Sequence, residues 1–219
     1  MNKWRAELHC HSNYSKHDGV LTPKQIIDIC KKRKIDVIAL TDHNEIEGAK
    51  ELQKTAPDWL TVIVSEEITT RQGDIIGMFL KEKIVPFQDI RETISKVKKQ
   101  GGLVFIPHPM DRLRTNAVGE AVLSAIKREI DAVEIFNARN VFDADNQKIK
   151  KWARDNRAVS FVGSDAHFAK EFGKAVCLMD KFEDKNTFLN ALGRAQFQSK
   201  KSSLLVHILT KWVKMGDNS

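Results

Sequence analysis

Short apolar runs alternate with helix-like segments along nearly the whole chain, and this alternation constrains the fold more than any other feature. Residues 35–40, 60–64, 75–80, 103–106, 132–136, 158–162 and 175–179 read as buried strands. Helical patterns lie between most of them, at residues 23–32, 87–100, 117–127, 143–155 and 185–194. The first has Thr22 as N-cap and Pro23 at its first position, and the second stops at Gly101-Gly102. Strand, helix, strand at this pace predicts a parallel α/β fold. An open doubly wound sheet would want a glycine-rich phosphate loop after its first strand, and none is present. The conspicuous polar residues sit at the C-terminal ends of the strands, so a β/α barrel fits better. With no repeat, low-complexity stretch or linker, residues 1–219 are expected to form one domain, with 200–219 a closing helix over 204–212 and a frayed tail.

A composition of 42% hydrophobic and 30% charged residues is that of a globular chain, and 219 residues can bury a core without staples. No apolar run is long enough for a membrane span, and the start lacks a signal-peptide stretch. Cys10, Cys30 and Cys177 are scattered, which predicts a cytoplasmic protein without disulfides or a thiolate zinc site. The net charge of +7 favours polyanions without naming one. Basic clusters at 31–34, 96–99 and 148–151 are expected at or near helix ends, where cations offset the dipole. Together with Lys200-Lys201 they could also hold phosphorylated substrates near the surface.

The histidines carry the chemistry. His9 and His11 lie two residues apart on the first strand, so they share a face that Cys10 does not. Taken alone, His-x-His is weak evidence for a metal. Its company is stronger: Thr41-Asp42-His43, Ser65-Glu66-Glu67, Pro107-His108-Pro109 and Ser164-Asp165-Ala166-His167 each end a strand, and Asp18 lies in the first loop. Imidazoles and carboxylates together suit zinc, manganese or iron. So many acceptors on one rim would repel one another without cations between them.

These residues also resemble the PHP (polymerase and histidinol phosphatase) family of metal-dependent phosphoesterases. The matching motifs are Leu8-His9-Cys10-His11-Ser12, Asp18-Gly19, Thr41-Asp42-His43-Asn44, Glu67-Ile68-Thr69, His108-Pro109 and Ser164-Asp165-Ala166-His167. The resemblance implies a distorted (β/α)7 barrel with two or three divalent ions (zinc, manganese or iron) at its C-terminal rim. It implies that His9, His11, Glu67 and Asp165 hold one ion, that Glu67 bridges to a second shared with His108, and that Asp18, His43 and His167 hold a third. Many members carry a histidine where this chain has Asp74, three residues before Gly77. Either this carboxylate ligates, which favours manganese or iron over zinc, or the second metal is loosely held or lost.

Arg112, Arg114 and Arg139 follow strand ends closely and suit a phosphate's paired oxygens, although ordinary surface ion pairs would explain them too. Arg112 and Arg139 are the catalytic candidates, with His17 either a proton donor or an exposed loop histidine. Glu134 divides between orienting a ligand and structure, and His207 reads as structural. The expected function is hydrolysis of a phosphate ester (a small phosphorylated metabolite, a nucleotide, or a short RNA or DNA) by metal-activated water. Two other readings are an amidohydrolase-like metal hydrolase, which typically adds a single aspartate on the last strand and often a carboxylated lysine, and a non-catalytic nucleic-acid-binding PHP domain.

Overall fold

A computed structural model of the chain describes residues 3–16, 19–203, 205, 206 and 210. Its strands are β1 (Trp4–Cys10), β2 (Val37–Leu40), β3 (Thr61–Thr70), β4 (Gly73–Met78), β5 (Leu103–Ile106), β6 (Ala132–Asn137), β7 (Ser160–Gly163), β8 (Ala175–Met179) and β9 (Gln196–Ser199). Its helices are α1 (Pro23–Arg33), α2 (Glu47–Thr55), α3 (Ile90–Lys99), α4 (Gly119–Ile126), α5 (Asp143–Asn156) and α6 (Lys185–Leu192). Helix α1 opens on a capping box: Thr22 Oγ1 accepts from the Gln25 N–H, and Gln25 Oε1 accepts from the Thr22 N–H.

The strands form one sheet in the order β7-β6-β5-β4-β3-β2-β1-β8-β9. The far edge of β1 is divided. Its first half pairs with β8, and its end meets the segment after β7. There the Asp165 N–H donates to the His9 carbonyl and the His11 N–H to the Ala166 carbonyl, each at 2.8 Å. Strands β1 to β7 therefore curl into a nearly closed barrel, with β8 and β9 attached outside it.

The direction of two strands departs from the parallel expectation. β4 runs antiparallel to β3 and β5, and β8 antiparallel to β1. Only Arg71 and Gln72 separate β3 from β4. A connection that short makes a hairpin, because a parallel partner needs a long crossover. Helix α2 and strand β9 have no counterpart among the predicted elements. Residues 148–151 lie within α5 rather than at its end, where Lys148 pairs with Glu120 and Lys151 with Asp155. Of the expected closing helix, only Leu205, Val206 and Thr210 are described, all helical; His207 lies outside the described residues.

Two apolar layers hold the wall. Ala6, Leu8, Ala39, Ile63, Ile76, Phe105 and Phe161 fill the barrel, and Phe188 of α6 packs against Phe105. Cys10, Leu40, Ile68, Ile75, Val104 and Val133 face the helices instead. All three cysteines are free and buried. Among the described residues no helix is long and apolar enough to cross a membrane.

Candidate metal centre

The barrel interior changes from apolar to polar at the C-terminal ends of its strands. On β1 the pairing with β2 slips between Glu7 and Cys10. Such a bulge re-aims side chains: Leu8 stays in the apolar interior while His9 and His11 turn toward the rim. On β3 the alternation places Glu66 outside, accepting from the Ile84 N–H at 2.9 Å, and Glu67 inside. Asp74 reaches the same rim from the opposite direction, because the hairpin sets it across from Thr69 at the start of β4. His108 follows β5, and Asp165 and His167 follow β7. His108 (φ 28°) and Asp165 (φ 53°) hold left-handed backbone, a conformation that costs free energy and concentrates at functional sites.

Glu67 lies at the centre. Its Oε2 is 3.3 Å from His9 Nε2, 3.4 Å from His11 Nε2 and 3.3 Å from His43 Nδ1, and its Oε1 is 2.9 Å from His108 Nε2. Four sets bring ligand atoms within 4.8 Å of one another: His11, His43 and His167; His9, His11 and Glu67; His9, His108 and Asp165; and His43, Glu67 and Asp74. Every predicted metal ligand among the described residues falls in at least one set. Asp18 and His17 lie outside the described residues.

The donor atoms fit a shared cation. His11 Nε2 and Asp165 Oδ1 stand 3.2 Å apart, both buried, yet neither makes a hydrogen bond; Asp74 Oδ1 is likewise buried without one. A buried acceptor left unpaired costs about 1–3 kcal/mol. Lone pairs that converge without bonding to each other are what an ion relieves.

Electrostatics suit His11, Glu67 and Asp165 as donors and hold His9 and Asp74 toward their protonated forms, from which an ion would have to displace the proton. Burial, then the His167 and His43 rings, bring the His11 imidazole down to about 3, so it is neutral as a ligand must be. Burial raises Glu67 and Asp165, but His43 and His9 outweigh it for Glu67, and Arg114 and His9 for Asp165, so both lie well below the usual carboxylate range. Burial would lower His9, but Glu134, Asp165 and Glu67 outweigh it and raise the ring well above its ordinary value. Asp74 is pushed up to about 6 by burial and then by Glu67. Its Oδ2 accepts from Asn116 Nδ2.

Residues outside the predicted ligand set brace the centre, and Glu134 takes the first of its two expected roles, orienting a ligand candidate. Glu134 Oε1 is 3.0 Å from His9 Nδ1, which turns Nε2 inward, while Oε2 accepts from the His108 N–H at 2.6 Å. Gly163 makes this possible: a Cβ there would lie 2.0 Å from Glu134 Oε1 and 2.6 Å from His9 Cβ. Asp42 accepts from the Ser12 N–H, the Ser12 hydroxyl and the Ser15 hydroxyl, and Ser15 Oγ accepts from the His43 N–H. Its position inside Thr41-Asp42-His43 was the only signal in the sequence.

The arginines separate. Arg112 is largely exposed and makes two bonds to Asp145, so it does not reach the cluster. Arg139 is buried beside it: Nη1 is 2.6 Å from His167 Nδ1, Nε is 3.3 Å from Glu171, and Nη2 donates to Thr210 Oγ1 at 2.5 Å. Arg114 is the guanidinium within, donating through Nη2 to Asp165 Oδ2 and through Nε to Asp111 Oδ2.

Residues 7–194 match the PHP domain family. This chain belongs to the PHP domain family. The PHP domain is 38% identical over 144 residues to the uncharacterized protein MJ1587 of Methanocaldococcus jannaschii, covering 61% of this chain and 82% of that one. It is 37% identical over 178 residues to a 5'-3' exoribonuclease of Haemophilus influenzae, covering 74% of this chain and 60% of the enzyme. Among solved structures, a two-domain protein of Bacteroides vulgatus containing a predicted PHP-like metal-dependent phosphoesterase superposes with a TM-score of 0.73 at 18% identity. That superposition covers 91% of this chain and 65% of the other, and it shows a shared barrel. The chain spans less than two thirds of the length of the exoribonuclease and of the two-domain protein.

Proposed function

We propose that this PHP domain is a metal-dependent phosphoesterase that hydrolyses the phosphate ester of a small phosphorylated metabolite, a nucleotide or a short oligonucleotide. The observation that carries this reading is the buried pair His11 Nε2 and Asp165 Oδ1, unpartnered among converging imidazoles and carboxylates. His9, His11, Glu67 and Asp165 would hold one ion, Glu67 would share a second with His108, and His43 and His167 would hold a third together with Asp18, while Asp74 stands within ligand distance of His43 and Glu67. Zinc, manganese and iron all suit these donors, and two or three such ions would supply a hydroxide near neutral pH and take up phosphoryl charge.

The chain's own residues do the rest. Glu134 holds His9 in the tautomer that presents Nε2. Arg114 keeps Asp165 ionised and offers a guanidinium at the rim for a phosphoryl oxygen. Arg139, behind His167, fixes that ring rather than meeting substrate. Arg112, bound to Asp145, could meet substrate only at the outer rim, and His17 is a candidate proton donor. The exoribonuclease relative is in keeping with a nucleotide or RNA substrate. An amidohydrolase of the carboxylated-lysine kind fits less well, because no lysine is buried among the described residues.

The test is phosphate release from a panel of phosphomonoesters, nucleotides and short RNAs by manganese- or zinc-loaded protein. Release that depends on added metal, and that Asp165→Asn lowers by more than about a hundredfold with the fold intact, is expected. Hydrolysis of cyclic amides with no ester cleaved would overturn the proposal.

A further inference from the structure

At the opposite end of the barrel, where β1 and β2 begin, lies a cavity of about 480 Å³ lined by Lys3, Arg5, Lys31, Lys34, Asp36 and Trp59. That volume suits a small ligand. Lys3 is paired with Asp180 at 2.8 Å. Arg5, Lys31 and Lys34 form no ion pair among the described residues. Arg5 Nη1 meets only the amide oxygen of Gln198, and its Nε is buried with no partner. The nearby negative groups are Asp36, whose Oδ2 already accepts from the Arg5 N–H, and the C-terminus of α1. A helix end carries about half a charge, so roughly one and a half positive charges remain uncompensated. A guanidinium whose Nη1 meets only a neutral amide oxygen keeps its charge uncompensated for an anion in the cavity. Trp59 adds a flat apolar surface, 42% exposed, in the turn before β3.

Cations without counter-ions beside an exposed indole suit a phosphate attached to a stacking base. We propose that this cavity binds a nucleoside phosphate, as a free nucleotide or as one unit of a single strand, independently of the metal centre at the other end. Arg5, Lys31 and Lys34 take the phosphate, and Trp59 stacks on the base.

The probes are adenosine monophosphate, a ten-residue oligoadenylate and inorganic phosphate, titrated against the full chain in chelator so that no ester is turned over. Quenching of Trp59 fluorescence, isolated by subtracting Trp59→Phe, is the readout. Supporting results are saturable quenching by the mononucleotide, which identifies a free-nucleotide site, or by the oligonucleotide alone, which identifies a strand. In either case the Lys31→Glu/Lys34→Glu variant should weaken binding about tenfold or more. In a competition with fluorescein-labelled oligoadenylate, Trp59→Ala should weaken binding at least about fivefold, while His11→Ala leaves it unchanged. The proposal fails if neither probe quenches, if affinity survives Lys31→Glu/Lys34→Glu, or if inorganic phosphate competes as well as the nucleotide.

Discussion

Glu134 ties two candidate ligands together, with one oxygen on the His9 ring and the other on the His108 backbone. Glu134→Gln keeps the shape and removes the charge that fixes His9, so metal affinity should fall about ten- to hundredfold, measured by competition with a chromophoric chelator. The neighbouring glycine is as constrained: a methyl group at Gly163 would collide with both Glu134 and His9. Gly163→Ala should cost about 1–3 kcal/mol in urea unfolding, and more if the wall cannot yield. That these histidines and carboxylates converge was legible in the sequence because so many of them sit at strand ends. Glu134 had orienting a ligand as one of its two readings, but the bracing by Asp42, and the placement of Arg114 rather than Arg112 at the centre, were not legible. They depend on which loops meet across the mouth, and sequence spacing carries no record of that.

The β3–β4 hairpin shows what alternation does at the scale of an element. Adjacent glutamates take opposite faces, Glu67 among imidazoles and Glu66 beneath the 81–84 loop. Burial pushes Glu66 up to about 7 from 4.5, against the opposing Ile84 N–H. A carboxyl raised on folding stabilises below its unfolded pKa, and that contribution is lost as pH rises through the folded value. Wild-type stability should therefore fall between about pH 4.5 and 7 relative to Glu66→Gln, by on the order of 3 kcal/mol at most. Urea titrations of both proteins across that window would show it, and parallel curves would remove Glu66 as the cause. Most elements were readable from apolar runs and caps. α2 escaped because its apolar positions are few, β9 because every residue in it is exposed, and the direction of β4 because an apolar run has no polarity of its own.

For the whole molecule, converging acids and imidazoles would make folding and the proposed metal loading one equilibrium. An ion that binds only the folded barrel stabilises it by about 4 kcal/mol at a thousandfold excess over its dissociation constant. Adding manganese or zinc to chelated protein should raise the melting temperature, and Asp165→Asn should blunt the rise. The sequence indicated a barrel, but not how it closes. The seam is sewn by the Asp165 and His11 amides, donated to His9 and Ala166 across the gap between β1 and β7. Three of those four residues, His9, His11 and Asp165, are candidate ligands by their side chains and stitches by their backbones. Slow exchange of these two amide protons with deuterated solvent should therefore track loading, so that the joint in the wall reports on its own cargo.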